Sequence, residues 1–104
     1  GIPWGAPDDL NTFMAMVNNV PKEWVRSAFS IGRNQMNYVA ATVLSGGHIR
    51  VGLEDNIWLE KGVLATNAQL VERAATIATN MGSSLMTPAQ VRELIKVEKR
   101  APLT

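Results

Sequence analysis

The residues with chemistry to offer lie close together. His48, Arg50, Glu54 and Asp55 fall in the run GGHIRVGLEDN, Gly46 to Asn56. If the run is a strand, its side chains alternate, with Ile49, Val51 and Leu53 on one side and His48, Arg50, Gly52 and Glu54 on the other. An ionised group facing a sheet interior is costly unless it is paired or bound to a metal. Two such groups on one face, with Gly52 leaving room between them, therefore need a reason. One reason is a functional site. The other is a buried Arg50–Glu54 pair that fixes the strand, with Asp55 and Asn56 simply ending it. Arg50 precedes Glu54 by four residues, roughly 13 Å along an ideal strand, and its long side chain can reach back toward the strand end.

The surrounding chain must position this run. Pro7 and Asp8–Asp9 suit a helix start, and Leu10, Phe13, Met14 and Val17 share one helical face. Glu23 to Ile31 reads as a strand apolar on both sides after Arg26, the pattern of a parallel sheet. Ile31 to Asn34 makes a tight turn with Asn34 as helix cap, and Met36, Val39, Ala40, Val43 and Leu44 form the next stripe. Gly46–Gly47 ends that helix, and His48 to Glu54 is the second strand. A long connection through Ile57, Trp58 and Gly62 follows. Thr66 to Gln69 and Thr87 to Gln90 each have capping-box spacing, the second with Pro88 at the first helical position. Val71, Ala74, Ala75, Ala78 and Met81 form the face behind the first box, and Val91, Leu94 and Ile95 the face behind the second. The tail, 98–104, is expected to fray.

Strands alternating with helices imply right-handed crossovers and parallel pairing, the α/β class. Two or three parallel strands would leave bare edges. A complete (β/α)8 TIM barrel takes about 250 residues. Residues 1–104 are therefore expected to be the C-terminal βα units of one barrel domain, incomplete on their own. Barrel active sites lie at the C-terminal strand ends, which puts Glu54 and Asp55 where chemistry occurs and His48 on the opposite floor, in a structural role.

Composition narrows the partners. A formal net charge of +1 gives no electrostatic case for nucleic acid or an anionic membrane surface. No apolar run has the length of a membrane span. Cysteine is absent, so there is no disulfide framework or thiol chemistry, as expected of a cytoplasmic protein. The start, GIPWGAPDD, has neither the basic nor the apolar region of a signal peptide and lacks Met, so a processed or excised chain is expected.

The GGHIRVGLEDN run, with IGRNQ (31–35) before it and NAQLVERAATIA and TPAQVRELI after it, resembles the C-terminal end of the β-keto acid cleavage enzymes. The resemblance extends over nearly the whole chain. It implies a zinc-dependent α/β barrel in which a β-keto acid and acetyl-CoA exchange acyl groups to give acetoacetate and a new acyl-CoA. It makes Glu54 the metal-binding carboxylate, and Arg50 and Asp55 the residues that activate the substrate. The family's other zinc ligands, two histidines in an HxH motif on an early strand, have no match here. Zinc accepts carboxylate oxygen while keeping positions open for a substrate. Asp55 can take or relay a proton, and Arg50 can hold Asp55 ionised or offset developing negative charge.

Further candidates have two readings each. Arg33, in the loop after the first strand and beside a helix start, can seat a phosphate of CoA, or it is a solvated arginine. Trp58 and its loop can cover the site or meet a neighbouring subunit of a homo-oligomer, or be plain core. Trp4 has the same status. Arg92, Lys96, Lys99 and Arg100 read as a solvated face. Two rival functions stand beside acyl exchange. One is another divalent-metal barrel that breaks carbon–carbon bonds. The other is a non-catalytic structural or interaction fragment.

Overall fold

A helix, a strand, a second helix and a second strand come first along the chain in the computed structural model, which describes residues 1–97. They are α1 (Leu10–Asn18), β1 (Ser27–Ala28), α2 (Gln35–Leu44) and β2 (His48–Ile49). A hairpin of β3 (Trp58–Glu60) and β4 (Val63–Leu64) follows, then α3 (Asn67–Asn80) and α4 (Pro88–Ile95). The tail at 98–104, with Lys99 and Arg100, lies outside the described residues.

β1 and β2 pair in parallel, with Ser27 opposite His48 and Ala28 opposite Ile49. His48 N donates to Arg26 O at 2.9 Å and Arg50 N to Ala28 O at 3.3 Å. This is a β–α–β unit of the α/β class, but both strands are far shorter than their apolar patterns suggest. A strand is defined by its partner, and the described residues hold only one parallel pair and no closed barrel. The connection after β2 also differs from expectation. It folds back as an antiparallel hairpin, Trp58 opposite Leu64 and Glu60 opposite Val63, turning at Lys61–Gly62 with Gly62 at φ 81°. That conformation favours glycine.

The helix caps follow local chemistry. Asp9 is the N-cap of α1, so Pro7 lies outside the helix. Its carboxylate accepts from Thr12 N and Thr12 Oγ1, both at 2.8 Å, and these bonds hold its pKa below the usual carboxylate range. The cap's contribution is present above the unfolded carboxyl pKa and is lost as pH falls through the lowered folded value. Both capping boxes form, at Thr66–Gln69 and Thr87–Gln90. Asn34 precedes α2 but makes no cap bond; its Nδ2 donates to Asp8 Oδ2 at 2.6 Å instead.

The core lies between α1, α2 and α3. Phe13 meets Tyr38 edge to face with centroids 5.1 Å apart, and burial raises the Tyr38 pKa above its ordinary value. Val39, Leu70, Ala74 and Ala78 complete the apolar centre. The buried face of α2 is Gln35, Tyr38, Val39 and Thr42, rotated from the expected stripe, with Leu44 out in solvent. Tyr38 takes the inward position because its ring packs on Phe13 and its hydroxyl reaches Asp9 O. Along α3 the buried positions are Leu70, Ala74 and Ala78, while Val71 and Met81 are exposed. No described helix is long and apolar enough to cross a membrane.

Large apolar side chains remain uncovered. Trp24, Val25, Phe29 and Ile31 flank or follow β1, and all are exposed, as is every apolar side chain named on α4. Burial of such groups is worth about 25 cal/mol per Å2, so this much bare surface leaves little net stability. The 104-residue chain produced alone is expected to bind a hydrophobic dye and to melt without a sharp transition. A sharp, reversible thermal transition in a dilute monomer would show that the pieces on the page suffice.

Candidate active site at the strand ends

Beyond Ile49 the chain leaves the ladder and turns. Asp55 N and Asn56 N both donate to Gly52 O, at 3.2 and 3.1 Å. Neighbouring elements pin this turn. Gln35 Nε2, from the first residue of α2, donates to Gly52 O at 3.1 Å. Asn67 Oδ1, from the first residue of α3, accepts from Leu53 N at 2.8 Å. Gly32 N, from the loop after β1, donates to Asp55 O at 2.7 Å. Asn56 then closes the turn by bonding Trp58 twice, Nδ2 to Trp58 O at 2.7 Å and Oδ1 from Trp58 N at 3.1 Å.

This geometry re-sorts the candidate residues. Arg50 and Asp55 come together as a fork, Nε to Oδ2 and Nη2 to Oδ1, both at 2.9 Å. The Asp55 side chain is 5% exposed and that of Arg50 47%. The Arg50 guanidinium carbon also sits 4.1 Å from the centroid of the Phe29 ring. Glu54 is 3.6 Å from Arg50 Nη2, and its side chain is 89% exposed. The alternative of a buried Arg50–Glu54 pair is therefore not realised: that pair forms in an exposed position, and the buried partner of Arg50 is Asp55. The strand alternation that put Glu54 inward fails because the chain turns at Gly52, so Asp55 takes the inward position. The 13 Å offset of an ideal strand disappears for the same reason.

Arg33 lies in a different wall, facing a groove bounded by the hairpin. His48 sits at the start of β2, exposed and away from the turn. Phe29 and Gln35 belong to the site's support; the sequence places Phe29 only in a strand pattern and Gln35 only in the IGRNQ run. The alternating pattern around Phe29 carries no sign that a cation will stack on it. Gln35 inside IGRNQ offered a signal, a polar residue at a helix start, but its 1% exposure needs the folded turn. Its Oε1 has no partner, and neither does Ser30 Oγ, buried two residues beyond β1.

No group of three or more His, Cys, Asp or Glu that could hold a metal occurs among the described residues. Asp55 has both oxygens on Arg50. In the turn after β2, Glu54 keeps the accessible carboxylate, one donor where a catalytic zinc site needs about three from protein. The described residues do not form a zinc site by themselves.

Arg50, Glu54 and Asp55 thus gather beyond the C-terminal end of β2, the side of an open parallel sheet on which ligands bind in α/β folds. The chain belongs to the β-keto acid cleavage enzyme family, whose profile it matches over residues 1–97. It is 65% identical over 100 residues to a 3-dehydrocarnitine:acetyl-CoA trimethylamine transferase of Rhizobium meliloti, covering 96% of this chain and 33% of that protein. It is 34% identical over 100 residues to a 3-keto-5-aminohexanoate cleavage enzyme of Acetoanaerobium sticklandii, covering 95% and 37%. A 3,5-dioxohexanoate:acetyl-CoA acetone transferase of Paraburkholderia graminis is 35% identical over 97 residues, covering 91% and 31%. The chain thus spans about a third of the length of these curated relatives.

The two ion pairs should behave differently. Lysine cannot reproduce the fork on a buried carboxylate, so Arg50→Lys in the full-length protein should cost about 1–3 kcal/mol. Glu54→Gln, at an exposed pair, should cost under about 0.5 kcal/mol. Urea denaturation in the presence of a chelator checks both, and equal losses would mean that the fork is not what holds the turn.

Proposed function

We propose that the protein to which this chain contributes exchanges acyl groups between a β-keto acid and acetyl-CoA. The C2–C3 bond of the keto acid breaks. Its acetate unit joins the acetyl group to give acetoacetate, and the remaining acyl group passes to the CoA sulfur. The supporting observation is the Arg50 fork on a nearly buried Asp55, with Glu54 beside it at the strand ends, in a chain of this family. The 65% identity to the Rhizobium meliloti enzyme makes 3-dehydrocarnitine the first β-keto acid to test.

Each residue has a place in this reading. Arg50 presents a guanidinium that is half open to solvent and held flat between Phe29 and Asp55. It binds the keto-acid carboxylate or offsets enolate charge. Asp55 takes or relays a proton, and Glu54 would contribute one carboxylate ligand to Zn2+. Donors from other parts of a TIM barrel would have to complete the site, and a cation held there would polarise the keto-acid oxygens. Both oxygens of Asp55 are engaged by Arg50, which favours a second reading of that residue. In it Asp55 positions Arg50 and leaves the proton to a group elsewhere. The homo-oligomer and the cytoplasmic setting belong to the same proposal.

Glu54→Gln in the full-length protein should cut retained zinc strongly while circular dichroism stays unchanged, because the amide keeps the shape and loses the charge. Metal content equal to wild type would remove Glu54 from the ligand set.

Asp55→Asn should lower turnover with 3-dehydrocarnitine and acetyl-CoA by about a hundredfold or more at unchanged zinc content. If Asp55 handles the proton itself, the variant also loses one limb of the pH–rate profile. If it only orients Arg50, the profile keeps its shape at reduced height. Near wild-type turnover would exclude both roles.

A further inference from the structure

A groove of about 560 Å3 opens between the loop after β1 and the β3–β4 hairpin. Arg33 and Met36 line one side; Trp58, Lys61 and Arg73 line the other. Arg33, Lys61 and Arg73 have no carboxylate partner among the described residues, where both ion pairs belong to Arg50. Arg73 Nη1 bonds Leu59 O and so ties the hairpin to α3. Against these three cations the lining holds one acid, Glu60. The Trp58 side chain is accessible, with the residue 45% exposed. Asn56, the residue after Asp55, also lines the groove.

Three unpaired cations in one concavity repel one another and raise the local concentration of anions. Two of them are arginines, whose planar forks fit phosphate oxygens. An indole face beside them suits a nucleobase. We infer that this groove binds the phosphorylated adenosine end of coenzyme A, with Arg33, Lys61 and Arg73 on the phosphates and Trp58 against adenine. The pantetheine arm then runs past Asn56 to bring the thioester toward Arg50. The inference rests on the reading that acetyl-CoA is the co-substrate. It extends that reading from Arg33 alone to a binding groove built from three elements.

The test uses full-length protein and two readouts. Adenosine 3′,5′-bisphosphate is titrated by calorimetry, and KM for acetyl-CoA is measured at saturating keto acid. Arg33 and Lys61 are exposed in this chain, and circular dichroism checks that Arg33→Ala and Lys61→Ala keep the fold of the full-length protein. Each should raise both the bisphosphate Kd and the acetyl-CoA KM about tenfold, or about 1.4 kcal/mol. The keto-acid KM should not move. Trp58→Leu should weaken both ligands by a similar factor. Glu60→Gln should tighten both, since it removes the one negative charge on the lining. Failure of the bisphosphate to bind, or an acetyl-CoA KM unchanged in the Arg33→Ala/Lys61→Ala double variant, would overturn the assignment. Bisphosphate binding that depends on Arg33 and Lys61, in a protein with no acyl exchange, would sustain the groove and reject the acyl-exchange reading.

Discussion

Asp55 is a carboxylate buried in the turn after β2, and the local structure depends on neutralising it. Burying an unpaired ion is expensive, and a paired one is tolerated only when its lone pairs are also satisfied. Arg50 meets both conditions with two parallel hydrogen bonds. The guanidinium carbon then lies over the ring of Phe29, the residue after β1. One charge pair thereby fixes the turn after β2 and ties it to the segment after β1. The Gly32 N to Asp55 O bond makes the same link through the backbone.

The turn that carries this pair is held more firmly than the sheet that leads to it. Only two residues from each strand pair in parallel, yet α2, α3 and the β1 loop each bond to the backbone of residues 52–55. Side-chain amides are well suited to the task. Gln35 and Asn67 each occupy the first position of a helix and reach sideways to main-chain groups that no ladder satisfies. The site is thus built on helix ends, which move less than free loops.

Geometry separates two regions along the strand ends. One is the Arg50–Asp55 fork with Glu54 outside it, where charges are paired. The other is the groove under the hairpin, where Arg33, Lys61 and Arg73 are not paired with any described carboxylate. Asn56 sits between them, bonded to Trp58 on the groove side and following Asp55 on the other. A paired cluster suits a reacting centre whose charges must stay oriented, and an unpaired cationic wall suits a ligand that brings its own negative charge.

Much of the local structure was legible in the residue order because it rests on short-range chemistry. The two capping boxes depend on residues three apart, and the end of α2 on the left-handed preference of Gly46. The α/β class and the clustering of Arg50, Glu54 and Asp55 were visible for the same reason. What the sequence did not contain was the distance over which a strand pattern is realised. Apolar alternation extends from Glu23 to Ile31 and from His48 to Glu54, but pairing needs a neighbour, and the ladder stops at Ala28 and Ile49. Only the tertiary turn at Gly52 decided that Asp55, and not Glu54, points inward against Arg50. The hairpin that brings Trp58 and Lys61 opposite Arg33 likewise joins residues about 25 or more positions apart. No local periodicity encodes such a meeting, because it is set by how β2, α2 and α3 pack.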